Sequence, residues 1–553
     1  MATLPAAPVA PLAEPSLAER LLLVLFATLL YLHAFGPATL DPRNTAWLLS
    51  GDPAQHYLGW YFFRNEAWQW PLGHIAGFGL PEGSSIALTD AIPLLALLFK
   101  PFSPWLPENF QYFGLWMLAC FILNGIFGLQ LLARLTADRL LRLFGAAFFI
   151  LSPPLLFRGH GHESLMAQWL ILAGLKTCLD GWRWQSWGVW GSLAALIHPY
   201  LLLMVLGLMS ASALQAGWVL RSHTRLQLLR EGFALVALLL LLLWQAGYLG
   251  GASGGMAGSG YGYYSMNALT WFDPIWGASR FLKPHDFHPD FLPYGQYEGL
   301  AYLGAGMLIL AAMALAVCLV IPDLPLKPLL RRHWPLLGVT LLFWLLALSN
   351  KIMVGKYHLV TLPLPATLHQ ALAVFRASGR LGWPLFYLLY LGVLACLIRY
   401  LPAPRARWLL AAALLLQVAD QTQKYQELRG LMEHRRQWTT PLVSPQWETL
   451  AAGAKRLILI PPHPPMEDLY IPFAHLAARH RLATNAAHLA RVSAQAAEAH
   501  GQQQAARLAQ GRREPDTLYV FPSAAGLSIL PPQWQAELLH LDGYAVLPAL
   551  PRP

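Results

Sequence analysis

Residues 110–133 read FQYFGLWMLACFILNGIFGLQLLA, without a single Asp, Glu, Lys or Arg. About 20 apolar residues in a row is what a helix needs to cross the hydrocarbon core of a bilayer. Such a helix also satisfies its own backbone hydrogen bonds, which lipid cannot do for it. Working outward, apolar segments recur at roughly 140–156, 164–179, 186–198, 200–219, 231–250, 300–321, 335–350, 381–399 and 407–420. Leu21–Phe35, behind Arg20, opens the series. No small-x-small cleavage site closes that first segment, so it reads as a retained span and the expected total is about eleven. His198-Pro199 divides the 186–219 region into two short runs.

The composition agrees. Of 553 residues, 56% are apolar and 12% charged, against about 25% charged in soluble domains, too few to cover a water-facing surface of this size. The net charge of +10 lies between apolar segments, which argues for membrane orientation rather than nucleic acid. Arg134, Arg139 and Arg142, then Lys176 and Arg183, then Arg221, Arg225 and Arg230, then Lys327, Arg331 and Arg332, then Arg399, Arg405 and Arg407 fill alternate loops. The opposite short loop at 157–163 holds only Arg158. This alternation places the N-terminus in the cytoplasm and the C-terminal region outside. Cys120, Cys178, Cys318 and Cys396 sit in or beside apolar segments without metal-site spacing and read as packing residues.

The expected organisation is a disordered Pro/Ala-rich stretch 1–17, an all-α polytopic membrane domain 18–420 and an extracytoplasmic α/β domain 421–553. The long loops 37–109, 251–299 and 351–380 all fall on the outer side, where they build a candidate functional surface. Ile92–Phe102 is apolar but too short to span and reads as an interfacial piece. In the terminal domain, Arg456–Ile460, Leu518–Phe521 and Tyr544–Leu547 read as strands. Helices are expected over 466–482 and 493–509.

Three motifs carry candidate chemistry. The first is Gly51-Asp52-Pro53-Ala54-Gln55-His56-Tyr57, where Pro53 marks a helix start. Asp52 is there either a helix cap or a displayed carboxylate able to take a proton from an attacking hydroxyl. His56 lies one turn further on the same face. The second is Arg158-Gly159-His160-Gly161-His162-Glu163, open to four readings: a polar turn, an anionic-substrate site, a group orienting the catalytic carboxylate, or metal ligation by His160 and His162 with Asp52 or Glu163. The third is Phe375-Arg376-Ala377-Ser378-Gly379-Arg380, whose two guanidinium forks suit phosphate oxygens when they are not merely headgroup anchors. Glu298, in Gln296-Tyr297-Glu298-Gly299, sits at the outer boundary of a span, and the Gly/Tyr-rich loop 251–266 suits a lid or a linker.

Together these features resemble the GT-C class of integral membrane glycosyltransferases, and most closely an uncharacterised bacterial membrane-protein family related to them. The likeness covers most of the chain. It rests on Asp52 in the first outer loop, the interfacial piece 92–102, the terminal domain, and the three phrases Gly-Asp-Pro-Ala-Gln-His-Tyr, Gln-Tyr-Glu-Gly and Phe-Arg-Ala-Ser-Gly-Arg. GT-C enzymes often carry two close first-loop carboxylates; here the other candidates are Asp41, eleven residues before Asp52, and the distant Asp90.

The resemblance implies sugar transfer from a polyprenyl-phosphate-linked donor to a lipid, glycan or protein acceptor, on the outer face of a bacterial inner membrane. Asp52 would be the catalytic base. His56, Arg158, His160, His162, Glu163, Glu298, Arg376 and Arg380 would bind substrate. No cofactor is required, although a divalent metal would be compatible. A surface-polysaccharide polymerase or ligase shares these features. A lipid-sugar transporter or flippase is the competing class, but transporters place charge near the membrane midplane, and these apolar segments hold almost none.

Overall fold

A computed structural model describes residues 12–249, 261–284, 293–321, 324, 326–460, 468–488 and 494–550. The protein is mostly helical, with a small sheet near its C-terminus. It divides into two compact units. The first comprises Met1–Leu40, Phe113–Leu239 and Ala257–Glu433; the second comprises Asp41–Tyr112, Leu240–Met256 and His434–Pro553. The disorder expected over 1–17 falls largely on residues outside the described set, as does most of the Gly-rich loop 251–266.

Among the described residues six helices are long and apolar enough to cross a bilayer: Leu17–Phe35, Phe113–Leu132, Arg139–Arg158, Pro199–Val219, Arg225–Ala246 and Ser378–Tyr400. Ala305–Val320 is apolar but shorter. These helices mark a membrane protein. The other expected spans are helical in different forms. The 164–179 segment yields only Trp169–Asp180, and 186–198 yields Trp184–Ile197. Leu326–Leu348 opens with Lys327, Arg331 and Arg332, while Ala403–Asp420 has Arg405 and Arg407 in its first turns. By length and composition six helices among the described residues qualify as spans, and the other expected segments form shorter or more charged helices that do not meet the same measure.

Local chemistry explains the element ends. A capping box between Ser16 and Glu19 starts the first helix. The expected break at His198-Pro199 is real: His198 is extended, and its Nδ1 accepts the Tyr200 N–H at 3.1 Å, so the chain restarts as a new helix. On the first helix Ala27, Tyr31 and Ala34 face the core, while Leu22, Leu25 and Leu29 are exposed. An apolar face left open in this way suits lipid. In the core, Tyr387 Oη donates to Gln168 Oε1 at 2.6 Å and lies 3.0 Å from Ser152 Oγ.

The second unit joins the first outer loop to the C-terminal region. Its helix Asp52–Asn65 is buried from Pro53 through Arg64. The Arg64 guanidinium ties loop carbonyls together, reaching Pro107 O at 2.8 Å and Glu108 O at 3.0 Å. The expected interfacial piece is the short helix Pro93–Phe99, followed by a 3₁₀ stretch to Trp105. A five-stranded sheet has the order 483–484, 456–459, 517–521, 544–547, 539–541, parallel across the first three and antiparallel across the rest. Parallel neighbours need crossovers, supplied by Tyr470–His480 and Ala494–Ala509. All three expected strands are present; Ala483–Thr484 and Leu539–Leu541 are additional. Residues 77–80 extend the sheet edge: the Thr484 N–H donates to Gly77 O at 2.8 Å, and the Gly79 N–H to Thr484 O at 2.9 Å.

Candidate functional site

In the first unit the second and third sequence motifs and the Gln-Tyr-Glu-Gly segment converge. Glu298, 3% exposed, is the hub. Arg380 grips its carboxylate with both arms of the guanidinium, Nε to Oε2 at 2.7 Å and Nη2 to Oε1 at 2.8 Å. Arg158 Nη1 lies 2.7 Å from Oε2, and its Nη2 donates to the Glu298 carbonyl at 3.0 Å. His162 Nε2 stands 3.9 Å from Oε1. Burial alone would raise the Glu298 pKa, but the two guanidinium charges outweigh it and hold the carboxyl well below the ordinary range. Aromatic faces line the cations, Arg158 near Trp383 at 5.3 Å and Arg380 over Tyr200 at 4.9 Å.

Close backbone packing brings these charges together. A Cβ on Gly379 would lie 2.7 Å from Gly299 Cα, and one on Gly299 would lie 2.5 Å from Met266 Cα. Only glycine lets the segments around Glu298 and Arg380 approach this closely. The Gly379 N–H also donates to Tyr264 O at 2.9 Å, fixing a third strip of chain beside them.

The remaining motif residues lie around this hub or apart from it. Arg376 is exposed, its guanidinium 5.3 Å from the Tyr264 ring. Arg380, in contrast, already spends its fork on Glu298. His160 Nε2 is 4.0 Å from Glu427 Oε1. Glu163 is buried, and its carbonyl accepts the Trp116 indole N–H at 2.8 Å. No group of three His, Cys, Asp or Glu able to hold a metal occurs among the described residues.

Asp52 and His56 belong to the second unit. Gly51, not Asp52, caps the helix; Asp52 is its first residue and is exposed, while His56 is buried. Gly51 adopts φ +60°, a conformation that favours glycine. Its N–H lies 3.2 Å from Asp468 Oδ2 and 3.3 Å from Oδ1. The Tyr470 phenol is pushed up first by burial, then by the charges of Asp468 and Asp52.

The family model described as a domain of unknown function, DUF6311, matches residues 24–422, and the model of the DUF6311 C-terminal domain matches residues 446–549. The chain belongs to the DUF6311 family. No curated protein and no solved structure matches it.

Three polar residues of this DUF6311 chain escaped the sequence reading. Asp468 falls inside the expected helix 466–482 but lies in the turn just before the observed helix Tyr470–His480. Asp420, fully buried at the end of helix Ala403–Asp420, accepts from Ser279 Oγ, from Tyr302 Oη at 2.8 Å and from the Ala305 N–H at 2.9 Å. Lys424 is buried, bonds Glu427 Oε1 at 2.8 Å and lies 5.5 Å from the Phe157 ring. Burial lowers its pKa, with Glu427 opposing. An acidic residue ending an apolar helix was a visible signal for Asp420; nothing local marked the other two.

Proposed function

We propose that this protein is a membrane glycosyltransferase that moves a sugar from a polyprenyl-phosphate-linked donor to an acceptor on the outer face of a bacterial inner membrane. One observation carries the reading. Two buried arginines converge on the single Glu298 carboxylate, and the exposed Arg376 lies one turn of sequence from Arg380. An anionic phosphate suits such a cluster of guanidinium groups, and as a leaving group it is stabilised by fixed cations while charge develops. Arg376 takes the donor phosphate; Arg158 and Arg380, held by Glu298, supply the field behind it. An amphipathic donor also fits a chain whose apolar helix faces suit lipid.

In the second unit Asp52 is assigned the base that accepts the acceptor's proton. Asp468 is assigned to holding the Asp52 helix start through the Gly51 N–H. The reading keeps the topology expected from the basic loops, with the C-terminal domain outside, and requires no metal.

The test is donor consumption by the reconstituted protein, given a radiolabelled polyprenyl-phosphate hexose and an envelope extract as the source of acceptors. Asp52→Asn keeps the shape of the helix start and should lower turnover by about 100- to 10,000-fold, with unchanged melting. Asp468→Asn retains an acceptor for the Gly51 N–H and should work far better than Asp468→Ala. Normal turnover in Asp52→Asn would remove Asp52 from the mechanism. No donor consumption by the unaltered protein would end the transferase reading.

A further inference from the structure

Beside the Glu298 hub lies a surface that the charge argument leaves unused. Tyr263, Tyr264 and Tyr297 are each half-buried, with part of each side chain open. Tyr263 and Tyr264 pack edge to face with ring centroids 4.7 Å apart, and Tyr264 meets Tyr297 the same way at 6.3 Å. The Arg376 guanidinium lies over the Tyr264 ring. Burial, followed by the Glu298 charge, pushes the Tyr297 phenol up to about 12, so it stays a neutral hydrogen-bond donor across the physiological range.

Hydrogen bonds tie the platform to the surrounding chain. The Met266 N–H donates to Ala347 O at 2.7 Å, and Gln296 Nε2 reaches Ser265 Oγ at 3.4 Å. Asn267 Nδ2 donates to Gln296 Oε1 at 2.9 Å, joining the two tyrosine-bearing segments. Packing in the core does not call for three partly open phenols set edge to face, the middle one under an exposed cation. A ligand with an apolar face, hydroxyls and an attached anion does.

We propose that Tyr263 and Tyr297 form the sugar subsite of the donor, while Tyr264 and Arg376 form its phosphate subsite. A neutral hexose offers a C–H face to the electron-rich face of an aromatic ring and hydroxyls to the phenols. Tyr264 keeps the Arg376 guanidinium aimed at the phosphate by cation–π contact. The proposal rests on the lipid-phosphate donor reading and adds where the sugar lies.

Equilibrium binding to the full chain in lipid nanodiscs tests it, with four probes: farnesyl phosphate and farnesyl phosphates bearing glucose, galactose or mannose. The unaltered protein should hold at least one sugar-bearing probe more tightly than farnesyl phosphate. Tyr263→Ala and Tyr297→Ala should each weaken that probe by about tenfold and leave farnesyl phosphate unchanged, with Tyr297→Phe showing a smaller loss, since the ring stays and only the hydroxyl's hydrogen bond goes. Arg376→Ala should weaken all four probes alike, by about tenfold. Equal losses for sugar-bearing and bare probes in the tyrosine variants would overturn the sugar subsite, as would no preference for any sugar in the unaltered protein. The measurement needs neither acceptor nor turnover. A sugar preference that tracks the tyrosines in a protein without transferase activity would therefore keep the subsite and discard the reaction.

Discussion

Two buried arginine–glutamate sites lie in the first unit, and they differ in stoichiometry. Arg142 meets Glu19 one to one: Nη2 is 2.8 Å from Oε1, and Nη1 donates to Ala13 O at 2.8 Å. Glu19 also closes the capping box, accepting the Ser16 N–H at 2.8 Å. Its charge cancels that of its partner, and the pair staples the first helix to helix Arg139–Ile150. At Glu298 two guanidinium groups share one carboxylate. Burying a second guanidinium beside one carboxylate costs desolvation free energy that a one-to-one staple does not require. Stoichiometry therefore separates the two sites where burial does not, and the two-to-one site is the one we propose to serve an anion.

The largest expected effect is Glu298→Ala. It leaves two buried guanidinium groups facing each other, and should cost about 3–5 kcal/mol, read as a lowered melting temperature in detergent, with farnesyl phosphate binding also lost. Glu19→Ala should cost less, about 1–3 kcal/mol, because Arg142 keeps a carbonyl partner, and should leave farnesyl phosphate binding intact. Equal damage to binding from both variants would collapse the distinction.

Acid sharpens it. The Glu298 carboxyl sits well below its ordinary value of 4.5 when folded, so below that pH the unfolded chain binds the extra proton first. The stability it contributes is present above about pH 4.5 and is lost as pH falls through the folded value. The melting-temperature advantage of the unaltered protein over Glu298→Gln should thus hold at neutral pH and shrink below about pH 4.5; a gap that widens there would refute the ion-paired assignment. The smallest effect is expected for His162→Ala. With its side chain 28% exposed and 3.9 Å from Glu298, it should change stability by less than about 1 kcal/mol.

Much of this was legible residue by residue. The apolar run at 113–132, the helix restart at Pro199, the helix start at Asp52-Pro53 and the strands at 456–459, 517–521 and 544–547 follow from local pattern, because hydrophobic period, capping and proline geometry act over a few residues. The motifs around Arg158, Glu298 and Arg380 were visible as polar residues at the ends of apolar runs. The number of spans was less legible, since an apolar run does not reveal where its helix begins or breaks: 164–179 became a helix only from Trp169 to Asp180.

What the sequence by itself determined is the class of the molecule and the positions of its unusual polar residues, since both depend on composition and short-range order. Tertiary structure alone decided which of those residues meet. Glu298 is 140 positions from Arg158 and 82 from Arg380, and Asp468 is 417 from Gly51. No local propensity encodes such pairings. They arise because glycines at 299 and 379 let backbones touch, and because the first outer loop closes onto the edge of a sheet formed some four hundred residues later. Long-range contacts are set by the packing of whole elements, and charge stoichiometry, the feature on which the functional reading rests, exists only after that packing is complete.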